Sequence, residues 1–332
     1  MKKILYFICI IFCIKISHAQ TEATTDSIAQ KNKSISFISY WSVGDSYNYK
    51  ITKTKQVYKE DKLTKDTKNE YISSFTVIDS TANSYTISWK YENDLGNTFK
   101  LPKELTEKFS KYQFTEIKYK TSELGEFQEI INWKEVSELM SKMIDDIVIV
   151  LSKDDNEAKK VLDKSMEAFK QLYSSKSGIE KLVLKELQYF HFPLGYEFDT
   201  TKPFYYDDQL PNMLGGSPMK AKAKIYFESV DFNDGFCVMK QDLDVNPDDS
   251  LKFLKFVFKK LKITNDKLEK ALKNASFNIK DRNIYEYYYD PGVPHKIETN
   301  RETNFNINNE SGKRIDKTII ELQYNDDEEL EE

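Results

Sequence analysis

From Phe37 to Tyr91 apolar and polar residues alternate with a period of two. Tyr47, Tyr49, Ile51 and Val57 take odd positions, and Ser46, Asn48, Lys50, Thr52, Thr54 and Gln56 take even ones. Tyr85, Ile87, Trp89 and Tyr91 repeat the pattern against Thr86, Ser88 and Lys90. Successive side chains leave a strand on opposite sides, so this alternation predicts antiparallel strands with one buried and one wet face. Val43-Gly44-Asp45, Lys59 to Lys62 and Thr81-Ala82-Asn83 interrupt it and predict turns.

In the middle of the chain the period changes. Trp133, Val136, Met140, Met143, Ile144, Ile147 and Leu151 fall at steps of three and four, which predicts an amphipathic helix with Asn132 and Glu135 as its capping pair. Val161, Leu162, Met166, Phe169, Leu172 and Tyr173 predict a second helix. Ser177 and Glu180 then open a third, which carries Ile179, Leu182, Val183, Leu187 and Phe190 until Pro193 stops it.

After Pro193 the strand pattern returns at Ile225 and Phe227, Phe236 to Leu243, Phe277 to Tyr289 and Ile315 to Leu322. One helix interrupts it, with Asn246 as cap, Pro247 in first place, Asp248 and Asp249 in the first turn, and the stripe Leu251, Leu254, Phe258 and Leu261. The hairpin Phe75–Asp79 with Tyr85–Trp89 is echoed by Phe227–Asp231 with Phe236–Lys240, and a Pro-started helix follows each, at Pro102 and Pro247. These patterns predict an α+β protein: a curved antiparallel β-sheet in two related halves, residues 36–131 and 193–324. A helical segment of about sixty residues, 132–192, is expected between them.

The two ends read differently. Lys2 and Lys3, the apolar run Ile4 to Ile14, and Ser17-His18-Ala19 predict a signal peptide over residues 1–19, cleaved before Gln20. Residues 20–35 are expected to be a flexible leader and 325–332 an acidic tail. Removing the signal takes the formal charge from -5 to about -8 and removes Cys9 and Cys13, leaving Cys237. A single cysteine excludes a disulfide framework and a Cys-rich zinc module. The acidic balance, with lysines scattered among acids, argues against nucleic acid. No later segment approaches ~18 uncharged apolar residues, so no transmembrane segment is expected. The periplasm is the expected location, with the cell surface or the medium as alternatives.

Few residues carry candidate chemistry. His191 lies in an aromatic run and His295 follows Pro294, with no metal-ligand spacing, so each is read as structural. Cys237 falls mid-strand and is read as a small apolar residue. Ser217-Pro-Met-Lys220 has a Ser-x-x-Lys spacing but lacks the companion motifs and precedes a strand-like alternation. Asp242-x-Asp244-x-Asn246 begins like a calcium loop, yet Pro247 and Phe253 stand where glycine and glutamate are required. No metal and no cofactor are expected.

The aromatic residues are the feature that stands out. Tyr189, Phe190, Phe192, Tyr196, Phe198, Phe204, Tyr205 and Tyr206 form one cluster, and Tyr285, Tyr287, Tyr288 and Tyr289 another. Either they pack the sheet against its helices, or they line a groove for a lipid or a sugar. On the second reading the candidate ligand-binding residues are Trp89, Tyr91, Tyr196, Phe198, Tyr205, Tyr206 and Tyr287.

Ala19-Gln20, Tyr40-Trp-Ser-Val-Gly-Asp45 with Tyr47, Tyr49 and Ile51, Leu210-Pro-Asn-Met-Leu-Gly-Gly216 and Asp290-Pro-Gly-Val-Pro-His295 together resemble a family of uncharacterised exported Bacteroidetes proteins. The resemblance implies a Gram-negative periplasm or surface and supplies no reaction. In element order alone the chain is similar to the half-barrel of periplasmic lipoprotein carriers, a curved antiparallel sheet holding helices. The expectation is a non-enzymatic protein that binds an apolar or amphiphilic ligand in an aromatic-lined groove. The alternative is an envelope protein that meets another protein and takes no small ligand. A carboxylate-dependent hydrolase is a distant third.

Overall fold

The computed structural model describes residues 33–91, 103–109, 116–153, 155–183, 185–210, 216–260, 270–272, 274–307 and 310–324. The expected signal peptide, most of the leader, Pro102, residues 211–215 and the expected acidic tail lie outside them. The described chain is mostly antiparallel β-sheet, with one large curved sheet and few helices.

The N-terminal part contributes β2 (Ser46–Lys59), β3 (Lys62–Thr81), β4 (Ser84–Tyr91), β5 (Glu116–Ser122) and β6 (Phe127–Ile130). The C-terminal part contributes β8 (Phe204–Leu210), β9 (Met219–Asp231), β10 (Phe236–Val245), β11 (Ser276–Tyr288), β12 (Val293–Ile307) and β13 (Glu310–Gln323). All eleven lie in one sheet in the order β6-β5-β4-β3-β2-β13-β12-β11-β10-β9-β8. Pairing of β13 with β2, Ile320 opposite Ile51, joins the two stretches. A separate pair, β1 (Ser34–Ser36) with β7 (Glu197–Asp199), starts inside the expected leader, where Ile35 is buried.

Helices pack on one face of this sheet. They are α1 (Lys103–Phe109), α2 (Trp133–Ser152), α3 (Asn156–Tyr173), α4 (Lys176–Val183), α5 (Lys185–His191) and α6 (Pro247–Lys260). Helix α5 carries Leu187 and Phe190 into the main core, where they meet Tyr49, Phe75, Trp89, Tyr285, Tyr287, Ile297 and Ile320. Helix α6 sets Phe253 over a second cluster of Leu243, Val245, Ala221 and Ile279. Asn246 caps α6 as expected, its side-chain oxygen accepting from the backbone N–H groups of Asp248 and Asp249.

Several local expectations are corrected. Phe37 to Trp41 alternates like a strand, with Phe37, Ser39 and Trp41 buried, but it is an extended loop crossing one end of the sheet. Its amides donate to Tyr196, Leu124 and Pro291 carbonyls, so backbone groups that a ladder would satisfy are met by three different loops. Asn132 stands at the N-cap of α2 and its amide reaches Glu135 at 3.4 Å, but it makes no side-chain capping bond; its oxygen accepts from the Lys118 amide and its nitrogen donates to the Glu116 carbonyl, fastening the helix start to β5. The cap of α4 is Ser175, which receives the Gly178 amide, rather than Ser177. Strand β12, polar on both faces over much of its length, carries no alternation to reveal it.

Candidate functional site

The inward face, the one carrying the helices, is graded along the strands. Cross-strand register puts Tyr285, Ile297, Ile320, Ile51 and Tyr71 in one row across β11, β12, β13, β2 and β3. One step along lie Asn283, Thr299, Thr318, Lys53 and Asn69. The next row is Asp281, Arg301, Asp316, Lys55 and Thr67, and after it come Ile279, Thr303, Arg314, Val57 and Lys65. The face passes from apolar to amide and hydroxyl, then to ionic, and ends on a partly apolar rim where Phe277 faces Phe305.

The amide row is closed by its own hydrogen bonds. Asn283 donates to the Gln241 side-chain oxygen at 2.7 Å, and Gln241 donates to the Tyr206 hydroxyl at 2.6 Å. Buried polar groups satisfied in this way cost the fold little. Over β2, β3, β12 and β13 the cover ends beyond that row: Lys53, Lys55, Val57, Arg301, Thr303, Phe305 and Asp316 are half-exposed and Arg314 and Lys65 exposed, while Asp281 and Ile279 on β11 stay buried, Ile279 under α6.

Three acids on this surface each have a basic partner. Buried Glu186, from α5, pairs with Lys53 and accepts from the Tyr71 hydroxyl at 3.3 Å. Asp281 pairs with Arg301, at 2.6 Å, and Asp316 with Arg314, also at 2.6 Å. Lys55 of β2 and Lys65 of β3 lie on this face and Lys185 begins α5; among the described residues none of the three has a carboxylate within ion-pair distance. The Lys55 ammonium is held below its ordinary pKa by burial and then by the Arg314 charge, with Lys65 adding to the effect and Asp316 opposing it. Lys185 retains exposed surface although protein surrounds much of it. Desolvation and then Arg301 lower its pKa, against Asp281, Asp316 and Glu186.

The seven aromatic residues expected to bind a ligand do not share one wall. Trp89 and Tyr287 are completely buried in the main core. Trp89 stacks on Tyr49 and meets Phe190 edge-on, and the Tyr287 hydroxyl donates to the Phe190 carbonyl at 3.1 Å. Tyr91 is half-buried against Tyr71, on the same side as Glu186. Phe198 is buried against Phe37, whereas Tyr196 and Tyr205 are exposed. Tyr206 joins the Gln241 hydrogen bond and stacks on Phe204. The side chain of Phe190 fills the space that Trp89 and Tyr49 face.

Other candidate groups have structural work. His191 is buried, with Nε2 at 2.8 Å from the Tyr119 hydroxyl and Nδ1 at 2.7 Å from the Gly125 carbonyl; burial lowers its pKa to about 4. Exposed Tyr324 lies 3.0 Å from His295 Nδ1. Cys237 is buried mid-strand, and desolvation pushes its thiol up to about 12. Lys220 of the Ser-x-x-Lys spacing is on strand β9 and not on a helix. Asp242 and Asp244 both lie against Arg282, and no group of three metal-ligating side chains occurs among the described residues. A depression of about 300 Å³ at the far hairpin tips is lined by Tyr58, Glu302, Asn304, Phe305 and Lys313 and includes none of the seven.

The lysines and arginines of the ionic row were missed because the odd positions of β2 turn from Tyr49 and Ile51 to Lys53 and Lys55. That break in alternation was the available signal. Fold and site define a class: a large, curved antiparallel sheet with few helices, bearing a partly exposed ionic band on the face that the helices pack against. No protein-family model matches the chain, and no curated protein matches it in sequence. No helix among the described residues is long and apolar enough to cross a membrane.

Proposed function

We propose that this is an exported, non-enzymatic binding protein that takes an amphiphilic molecule on the uncovered half of its concave face. One observation carries the reading: the ionic row of Arg301, Asp316 and Lys55 gives way on the same face to half-exposed Val57 and Phe305, next to the cluster that α6 covers. A charged head and an apolar body on one ligand match such a juxtaposition, since each part meets its own kind of surface. The aromatic core above it serves as scaffold in this account, because Phe190 occupies it. Export rests on the N-terminal residues Lys2 to Ala19. The engaged nitrogens of His191 and the raised thiol of Cys237 favour binding over catalysis.

We also take the sheet as two related halves. The successions β3-β4-α1-β5-β6 and β9-β10-α6-β11-β12 run in the same spatial order, one after the other. The second functional reading, a protein-docking role, draws on edge strand β8, where Phe204 and Tyr205 are 54% and 72% exposed.

The test is native mass spectrometry of the protein purified from the compartment to which it is exported, followed by organic extraction. A stoichiometric amphiphile lost on denaturation is the expected result. A clean protein mass, with crosslinks from β8 to another envelope protein, would favour the docking role.

A further inference from the structure

We infer that the end of the sheet where β2 begins is a docking surface for a second protein, one that presents arginine or lysine side chains around apolar ones. This surface is separate from the concave face and from edge strand β8. Residues 37–49, 73–89, 121–128, 192–201, 226–239, 283–295 and 318–324 contain no lysine or arginine, in a chain that has 49 of them in 332 residues. Scattered in sequence, these stretches meet in the fold. They hold the β3–β4, β5–β6, β9–β10 and β11–β12 turns, the start of β2, the end of β13 and the approach to β7.

The loop before β2 ties them together. The Phe37 amide donates to the Tyr196 carbonyl at 2.9 Å, and the Ser39 amide to the Leu124 carbonyl, next to Glu123, at 3.3 Å. The Tyr40 amide donates to the Pro291 carbonyl at 3.0 Å, which sets Tyr40 beside the turn of Asp290. The Gly44 amide donates to the Val77 carbonyl at 2.9 Å, which brings Val43 to Ile78. The Tyr289 amide donates to the Gly235 carbonyl at 2.8 Å, so the turn of Phe232 and Asp234 lies against Asp290 as well.

Two properties of this end point to a partner. Six of the thirteen large apolar side chains exposed among the described residues are here: Tyr40, Val43, Ile78, Tyr196, Phe232 and Tyr324. On the same loops Asp79, Glu123, Asp231, Asp234 and Asp290 are exposed, and none has a cation within ion-pair distance among the described residues. A surface that serves solubility alone mixes both signs, as the opposite end does, where Lys59 pairs with Glu310, Lys222 with Asp207 and Arg314 with Asp316. Arginine and lysine answer both properties, since they pair with carboxylates and lie over tyrosine rings. Apolar side chains among them would cover Val43, Ile78 and Phe232. Two copies of this end would set acid against acid, and an anionic bilayer would be repelled.

The test is site-specific photo-crosslinking of the full chain in permeabilised producing cells, with benzoylphenylalanine in place of Tyr40 or Phe232, and in place of Leu63 at the opposite end as control. Tyr40 and Phe232 should give adducts with one protein, through a peptide of that protein carrying lysine or arginine, and Leu63 should not. The adducts should fade as salt rises. They should fall about tenfold in the combined variant Asp79→Asn, Glu123→Gln, Asp234→Asn, whose three sites are exposed. Should that variant fail to fold, the salt response of the parent decides. Adducts with lipid alone, with a second copy of this chain, or with a protein through a peptide free of basic residues would overturn the inference. Absence of adducts, or adducts indifferent to salt and to the three neutralised acids, would overturn it too.

Discussion

The guanidinium of Arg301 clasps the carboxylate of Asp281 through two parallel hydrogen bonds, Nε to Oδ1 at 2.7 Å and a terminal nitrogen to Oδ2 at 2.6 Å. The pair joins β12 to β11 at the boundary between the covered core and the open concave face. Asp281 is buried, so neutralising it strands a largely covered cation. Asp281→Asn should cost about 3 kcal/mol. The pair Arg314–Asp316 has the same bidentate form but stands in solvent, and Asp316→Asn should cost less than about 1 kcal/mol. Urea unfolding of the two variants compares them directly; equal losses would mean that the open face is more enclosed than described.

His191 gives the fold a pH dependence of known sign. Its folded pKa, about 4, lies below the ordinary histidine value because burial disfavours the charged ring. The unfolded chain therefore takes up a proton that the folded chain refuses, and stability falls as pH drops from about 6.5 towards 4. Between pH 7.5 and 4.5 this one group should account for roughly 2 to 3 kcal/mol. Removing it with His191→Gln should flatten the pH dependence of denaturant unfolding by that amount, whatever the variant's absolute stability. A slope identical to the parent's would show that the ring is protonated in the folded state.

Two glycines with positive φ separate backbone strain from steric exclusion. Gly44, at φ +101°, has open space around a Cβ, so Gly44→Ala should cost about 1 kcal/mol from conformation alone. Gly292, at φ +89°, would place a Cβ 2.6 Å from the Ile38 carbonyl oxygen. That carbonyl belongs to the loop crossing the sheet end, which cannot retreat without giving up its bonds to Leu124 and Pro291. Gly292→Ala should cost about 3 kcal/mol or more. Thermal melts within a few degrees of each other would contradict the close approach.

Trp89 and Tyr205 were both candidates for ligand contact, and the fold parts them. Trp89 is completely buried against Tyr49 and Phe190, so Trp89→Ala should cost about 3 to 5 kcal/mol. Tyr205 is exposed on the edge strand, and Tyr205→Ala should stay within about 0.5 kcal/mol. Chemical denaturation of both variants measures the contrast; a mild effect at Trp89 would mean that its surroundings are loose enough to admit a ligand.

The alternation around Tyr49, Ile87 and Trp89 was enough to announce antiparallel strands and to say which side chains turn inward. The capping residues around Asn246 placed the start of α6 to the residue. What fills the space before those inward rings was not legible, because Phe190 reaches them from a distant helix. Strand β12 escaped notice for a related reason: beyond buried Thr299 its inward residues Arg301 and Thr303 lie where the helices do not cover the sheet, and an uncovered stretch needs no apolar stripe. The ionic row depends on register between β2, β13, β12 and β11, which no local spacing encodes. Its one local trace is the replacement of aromatic and aliphatic residues by Lys53 and Lys55 along β2.

Hydrogen–deuterium exchange of the mature chain, with and without decyl phosphate, tests the central claim most directly. Amides of β2 and β3 between residues 52 and 70, and of β12 and β13 between 299 and 318, should slow on ligand addition. Peptides spanning Tyr196 to Tyr206 should not change. Protection confined to the Tyr196–Tyr206 stretch, or absent from the four central strands, would contradict a ligand on the uncovered concave face.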